Sequence, residues 1–266
     1  MLFNLIVISS IVSFSICFTN IPTISYVRNF ENKLDDISVT EPFFKTKDES
    51  PCILFFTGGN SLMIPNIYHD FFNKLAYNNI AVYTPSFSYN NISQLIEQLN
   101  NEYSEVILAG HSSGCTTALN NNNKLVKKIL LFDPVDTRFF YNKKIPHTIK
   151  NIDSILFVNA GKSYKFTDNP PGIPFIPFFA LKDDALETNK HCKIFKIIAN
   201  EYGHCDILDR PYSNLMHKIR LSVGFHKRNY DATHKYHVWL GDVCNNFIKK
   251  KYKNLNYLGN YINEDN

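Results

Sequence analysis

Residues 105–115, EVILAGHSSGC, constrain the fold more than any other stretch of this chain. Val106 to Leu108 read as a strand, and Ala109 leads into Gly110-His111-Ser112-Ser113-Gly114. Thr116, Thr117, Ala118 and Leu119 then suit a helix. Strand, G-x-S-x-G, helix is the setting that turns a short pattern into a nucleophile elbow. The serine backbone must take a strained turn that projects its hydroxyl above the sheet edge. The flanking glycines remove Cβ atoms that would strike the neighbouring strand and helix. The same turn aims the Ser113 backbone N–H, at the start of the helix, toward a developing oxyanion.

The rhythm continues on either side of the elbow. From Pro51, CILFFTGGN reads as a buried strand ending in a Gly pair, and residues 66–78 carry Ile67, Phe71 and Leu75 at helical spacing. Residues 80–85 (IAVYTP) form a further short strand, and 92–102 a helix with Ile92, Leu95, Ile96 and Leu99 on one face. After the elbow come KILLFDPVD at 128–136, SILFVNAGKS at 154–163 and CKIFKIIAN at 192–200, with a last helix over 236–253. Short apolar strands alternating with helical patterns predict an α/β fold: a mostly parallel sheet with helices on both faces. Ligands of such sheets gather at the carboxyl ends of the strands. Residues 161–191 break the rhythm, because Pro170, Pro171, Pro174 and Pro177 exclude a helix or interior strand. The plain expectation is a long loop packing its aromatics on the domain; the sharper one is an apolar wall beside the site.

At 266 residues the chain accommodates one large domain, and no internal repeat is visible. The expected organisation is a signal peptide or N-terminal anchor over 1–18, an irregular arm with a short strand or two over 19–50, the α/β domain over 51–255 and a polar tail over 256–266. Residues 1–18 are almost wholly apolar, with no charged side chain before Arg28, and Ser15 and Cys17 are small residues suited to a cleavage point. They favour a signal peptide over an uncleaved anchor, hence a secretory or extracellular location. Asn91-Ile92-Ser93 is a glycosylation sequon that has meaning only on that route. The net charge of +4 is mild and its basic residues are scattered, which argues against nucleic acid as a partner. The exception, Lys249–Lys251, is expected on the solvated face of the last helix. Removing Cys17 from the six cysteines leaves five, so at least one thiol stays without an intrachain partner. Cys192 with Cys205 is a candidate disulfide in an oxidising compartment. No two cysteines have metal-ligand spacing, so no metal is expected, and the chemistry of the elbow calls for no cofactor.

A serine hydroxyl needs a general base, and that base needs an acid to fix its tautomer. In a hydrolase of this architecture the order along the chain is Ser, acid, His, the histidine lying between the last strand and the last helix. That loop is EYGHCDILD, 201–209, which selects His204 to serve Ser112. The acid has three candidates: Asp133 at a strand end, Asp136 in a Pro-containing turn and Asp168 in the later loop. For the oxyanion, the second N–H besides Ser113 falls in TGGN at 57–60, where Gly59 is the first choice and Asn60 stands close behind.

These motifs together resemble the chlorophyllase family of α/β-hydrolases. GHSSGC (110–115), FDPVD (132–136) and YGHCDILD (202–209) match the family's elbow, acid and histidine motifs in order, over about residues 51–253. The resemblance implies the α/β-hydrolase fold, Ser112 as nucleophile, Asp133 as acid and His204 as base. Ser113 and Cys115 stand where the family has Arg and Gly, and Thr57 where it has His. These departures surround the site, so a carboxylic-ester hydrolase is expected rather than one committed to chlorophyll. The expected partner is a small lipophilic ester, with peripheral membrane or lipid contact as a corollary. A nearer variant is a thioesterase or acyltransferase, and a different class is a hydrolase-fold protein that binds an apolar ligand or partner without turnover.

Overall fold

Apolar runs of five to seven residues are buried on both faces only if two helical layers cover them, and the strands of this chain alternate their side chains accordingly. In β3 (Cys52–Phe56), Ile53 and Phe55 enter one core while Cys52, Leu54 and Phe56 enter the other. The same division splits β5 (Val106–His111), where Ile107 and Ala109 oppose Val106 and Leu108. In the computed structural model the described residues are 23–29, 36–42, 49–59, 61–86, 88–136, 147–163, 180–181, 183–218, 230–255 and 260–262. Residues 1–18 therefore lie outside the description, as do Asn60, Asp168 and the proline-rich part of the expected loop. No helix among the described residues is long and apolar enough to cross a membrane.

The remaining strands are β1 (Thr23–Asn29), β2 (Asp36–Pro42), β4 (Ala81–Pro85), β6 (Lys128–Phe132), β7 (His147–Ile149), β8 (Ser154–Ala160), β9 (Leu186–Thr188), β10 (Lys193–Ala199) and β11 (Asn260–Ile262). Of the eleven strands among the described residues, nine form one sheet in the order β1-β2-β4-β3-β5-β6-β8-β10-β11, and β7 pairs with β9 in a separate small sheet. From β4 to β10 every pairing in the large sheet is parallel, whereas β1, β2 and β11 add antiparallel edges. The stretch expected as an irregular arm with a short strand or two supplies two strands of the sheet, β1 and β2. Their union with the body includes a bidentate ion pair from Arg28 to Glu102, at 2.7 and 2.8 Å.

Helices α1 (His69–Tyr77) and α5 (Tyr230–Ile248) cover one face, with Phe71, Phe72 and Leu75 meeting Leu240, Val243 and Phe247. On the other face lie α2 (Ile92–Glu102) and α3 (Gly114–Asn120), which bury Ile96, Leu99, Cys115 and Leu119. Two short helices complete the α-helices of the described residues, α4 (Arg210–Lys218) and α6 (Tyr252–Leu255).

Two expectations are corrected here. The last helix begins before residue 236 and ends at Ile248, so Lys249–Lys251 form the turn to α6 rather than a helix face. Lys250 takes φ 55°, its N–H donates to Phe247 O, and the Lys251 N–H donates to Asn246 O. That pair of bonds is a Schellman cap, with a lysine at the left-handed position glycine usually holds. The second correction concerns Cys192 and Cys205, which are both free. Cys205 belongs to the core on one face of the sheet, whereas Cys192 packs against the core on the other.

Candidate active site

The elbow forms because two backbones approach too closely for any side chain between them. A Cβ on Gly110 would lie 2.4 Å from the Gly114 backbone, and one on Gly114 would lie 2.2 Å from Phe56 O. Ser112, between them, holds φ 57°, the left-handed conformation that costs an L-residue about 1 kcal/mol or more. Hydrogen bonds to the neighbouring strand hold it there: the Ser112 N–H donates to Phe132 O at 3.0 Å, and the Val135 N–H donates to Ser112 O at 3.2 Å. The serine turn and the turn that follows β6 are therefore tied together by backbone alone.

Asp133 occupies that second turn, also at positive φ (41°), which a short polar side chain tolerates better than most. Its N–H donates to Val158 O, and its Oδ1 accepts the Ala160 N–H at 2.8 Å. The other carboxylate oxygen, Oδ2, accepts from His204 Nδ1 at 2.5 Å. With the proton thus on Nδ1, the Nε2 lone pair faces Ser112 Oγ at 2.9 Å. Ser112, Asp133 and His204 come together in a single line of hydrogen bonds across residues that stand 71 and 92 positions apart. Burial alone would raise the Asp133 carboxyl, but its bond and charge interaction with His204, together with the Ala160 N–H, hold it below the usual carboxylate range. It therefore remains an acceptor at neutral pH. Asp136 is half-buried in the same turn and outside this line.

His204 sits in a loop that its own acid neighbour folds. Asp206, almost fully buried, accepts the Gly203 N–H at 2.8 Å with Oδ2, and the Ser213 hydroxyl and His217 Nε2–H with Oδ1 at 3.1 and 3.2 Å. Tyr202, before the glycine, stacks on Tyr236 of α5 with ring centroids 3.9 Å apart. At its far end the Asp209 N–H donates to Ile67 O, while Asp209 Oδ1 accepts the Asp70 N–H and so caps α1.

The sequence pattern did not single out two residues that join these parts. His111 is fully buried, and desolvation with the nearby His204 ring lowers its pKa to about 3, so it is neutral. Its Nε2–H donates to His204 O at 2.9 Å, because a carbonyl can only accept. Nδ1 must then accept, and it does so from the Tyr68 hydroxyl at 2.8 Å. Tyr68 in turn accepts the Gly58 N–H at 3.1 Å. The chain Gly58, Tyr68, His111, His204 connects the turn after β3 to the loop of the base. A histidine inside the elbow of an otherwise apolar strand was the available signal for it.

The turn after β3 is compact. The Thr57 hydroxyl donates to Met63 O at 2.7 Å, and the Leu62 N–H donates to Gly59 O at 3.1 Å. Gly59 has φ 63°, a conformation that favours glycine. Tyr68 takes the Gly58 N–H, and the Gly59 N–H, the expected oxyanion donor, comes next in the same turn. Ser113, the other expected oxyanion donor, stands as the residue before α3 and is buried. Beside this turn a cleft of about 440 Å³ is lined by Phe56, Ser61, Pro85, Tyr89, Ile92 and Thr116, among others.

The sheet order, the elbow after β5 and the turns after β6 and β10 together make this an α/β-hydrolase fold. No family model and no curated protein matches the chain. Among solved structures it is similar to an esterase from Pyrobaculum calidifontis, at 10% identity over 85% of each chain with a TM-score of 0.48. It is also similar to an arylesterase, at 13% identity over 83% of this chain and 84% of that one, with a TM-score of 0.44. These are likenesses of chain path at low identity, and the functional reading below stands on the residues.

Proposed function

We propose that this chain is a serine carboxylic-ester hydrolase that works through an acyl-enzyme on a lipophilic ester, in the manner of the chlorophyllase-like hydrolases it resembles. The observation that carries the reading is the unbroken line from Asp133 Oδ2 through the His204 ring to Ser112 Oγ. In the first half-reaction Ser112 Oγ attacks the ester carbonyl carbon and its proton passes to His204 Nε2. The carbonyl oxygen becomes an oxyanion, for which the N–H groups of Ser113 and Gly59 are the donors. Collapse of the tetrahedral species breaks the bond to the alcohol, which leaves with the proton from Nε2. Water then repeats the sequence on the acyl-serine, releasing the acid and restoring the hydroxyl. Asp133 stays ionised throughout and keeps the Nδ1–H tautomer.

The cleft beside the oxyanion turn supports a substrate with a hydrocarbon portion, since Phe56, Pro85 and Ile92 line it. Asn90, Asn120 and Asn121 line it too and would receive a polar group farther along. The apolar opening stretch of the chain supports a secretory route. Burial of Cys52, Cys115, Cys205 and Cys244 would keep those thiols from pairing there. The test is turnover of p-nitrophenyl esters of increasing acyl length. Saturable hydrolysis that rises with chain length and disappears in Ser112→Ala is the expected result. Hydrolysis retained by Ser112→Ala, or absent at every chain length, would overturn the reading.

A further inference from the structure

Asp70 of α1, Asp209 at the end of the base loop and His237 of α5 bring one ligand atom each to within 4.8 Å of one another. Two carboxylates alone would be unremarkable, because Asp209 already caps α1 through the Asp70 N–H. The histidine changes the chemistry. His237 is fully buried, and neither ring nitrogen closes a hydrogen bond. The carbonyls of Asp206 and Ile207 lie near the ring without hydrogen-bond geometry. Its other surroundings are Phe71 at 6.3 Å and the Tyr236 ring at 6.4 Å between centroids, neither of which can satisfy an imidazole. A buried polar group without a partner costs about 1–3 kcal/mol, so an imidazole left this way beside two carboxylates needs a reason.

We infer that Asp70, Asp209 and His237 form a binding site for a divalent cation of the zinc class, which fastens the loop of the base to α1 and α5. The donor set is two carboxylates and one imidazole, which suits Zn²⁺ and not Ca²⁺, a cation that takes roughly six to eight oxygens. Zinc bonds of about 2.0–2.2 Å place tetrahedral ligands about 3.5 Å apart. The three atoms must therefore draw in from separations of up to 4.8 Å to about 3.5 Å. Asp70 and Asp209 are half-buried, which gives them room to move and gives water the fourth position. A dication neutralises the two carboxylates and takes the imidazole lone pair. The site goes beyond the proposed hydrolysis and does not depend on it.

Calorimetric titration of the EDTA-treated, reduced full chain with Zn²⁺ tests it, with the fluorescence of Trp239, the chain's single tryptophan, as a second signal. Expected are one saturable equivalent, a raised melting midpoint, and a loss of affinity of about tenfold or more in both Asp70→Asn and His237→Gln. Cys192→Ser, which removes the partly exposed thiol, should leave the isotherm unchanged. If His237→Gln does not fold, Asp70→Asn decides alone, because that change only turns a half-buried carboxylate into an amide of the same shape. Absence of saturable binding, or unchanged affinity in Asp70→Asn, would overturn the inference. Neither outcome bears on ester turnover, so failure here and failure of the hydrolase reading are separable.

Discussion

At the scale of single residues, the candidate site is a set of hydrogen bonds that fix tautomers. Asp133 is held at positive φ and by the Ala160 N–H so that one oxygen always meets His204 Nδ1. Asp133→Asn presents an amide that can donate to Nδ1 and turn the ring to the wrong tautomer. Turnover should fall by about 10⁴, with the fold intact by circular dichroism. A loss below tenfold would show that another group orients the base. Tyr68 acts at one remove, as a positioning residue. Tyr68→Phe strips the hydroxyl that serves both His111 Nδ1 and the Gly58 N–H, so the oxyanion turn and the base loop both loosen. The expected signature is kcat lower by about ten- to a hundredfold with KM little changed, since misplacement by a fraction of an ångström costs on that order. A change confined to KM would place Tyr68 in substrate binding instead. The order of Ser112, Asp133 and His204 was legible in the sequence because each motif follows a recognisable apolar strand. The Tyr68–His111 link was not, because its partners lie 43 positions apart and no local pattern joins them.

At the scale of elements, legibility followed burial. The central parallel strands announce themselves because both faces are covered and nearly every residue must be apolar. The edge strand β1 does not, because Thr23 to Arg28 are partly exposed and mix polar with apolar residues, and the neighbouring β2 mixes them as well. The three-residue strands β7, β9 and β11 are too short for any periodicity. The split of the last helix was hidden for a different reason, since a run of three lysines looks like a solvated helix face whether the backbone is helical or capped. The Schellman cap makes a specific prediction. Lys250→Gly relieves the left-handed strain at φ 55° and should stabilise the protein by about 1 kcal/mol, read as a denaturation midpoint raised by about 2–4 °C. A lowered midpoint would mean that the lysine side chain contributes more than its backbone strain costs.

At the scale of the whole molecule, burying a neutral histidine under the active site links stability to pH. His111 has a folded pKa near 3, depressed first by desolvation and then by the His204 ring, with the Asp133 charge opposing. In the unfolded chain it titrates near 6.5, so below that value the unfolded state binds the extra proton and stability falls as pH falls. Between pH 6.5 and pH 5 this one group removes about 2 kcal/mol, at 1.36 kcal/mol for each pH unit. Asp133 acts in the same sense but only near and below about pH 4, where a free carboxyl begins to protonate, and so leaves this window alone. Urea unfolding at pH 7, 6 and 5 should show the midpoint dropping for the native chain and dropping less for His111→Gln, by about that 2 kcal/mol at pH 5. Parallel slopes for the two proteins would contradict a neutral His111. The same buried histidine thus ties the site's geometry to the stability of the entire sheet.

The central claim is that Ser112 is a nucleophile activated by His204, and intact-mass measurement after treatment with a fluorophosphonate tests it most directly. A single adduct should form, mapping to the peptide that carries Ser112, absent in Ser112→Ala and formed far more slowly in His204→Ala. Labelling that persists in Ser112→Ala, or no labelling of the native chain, would contradict it.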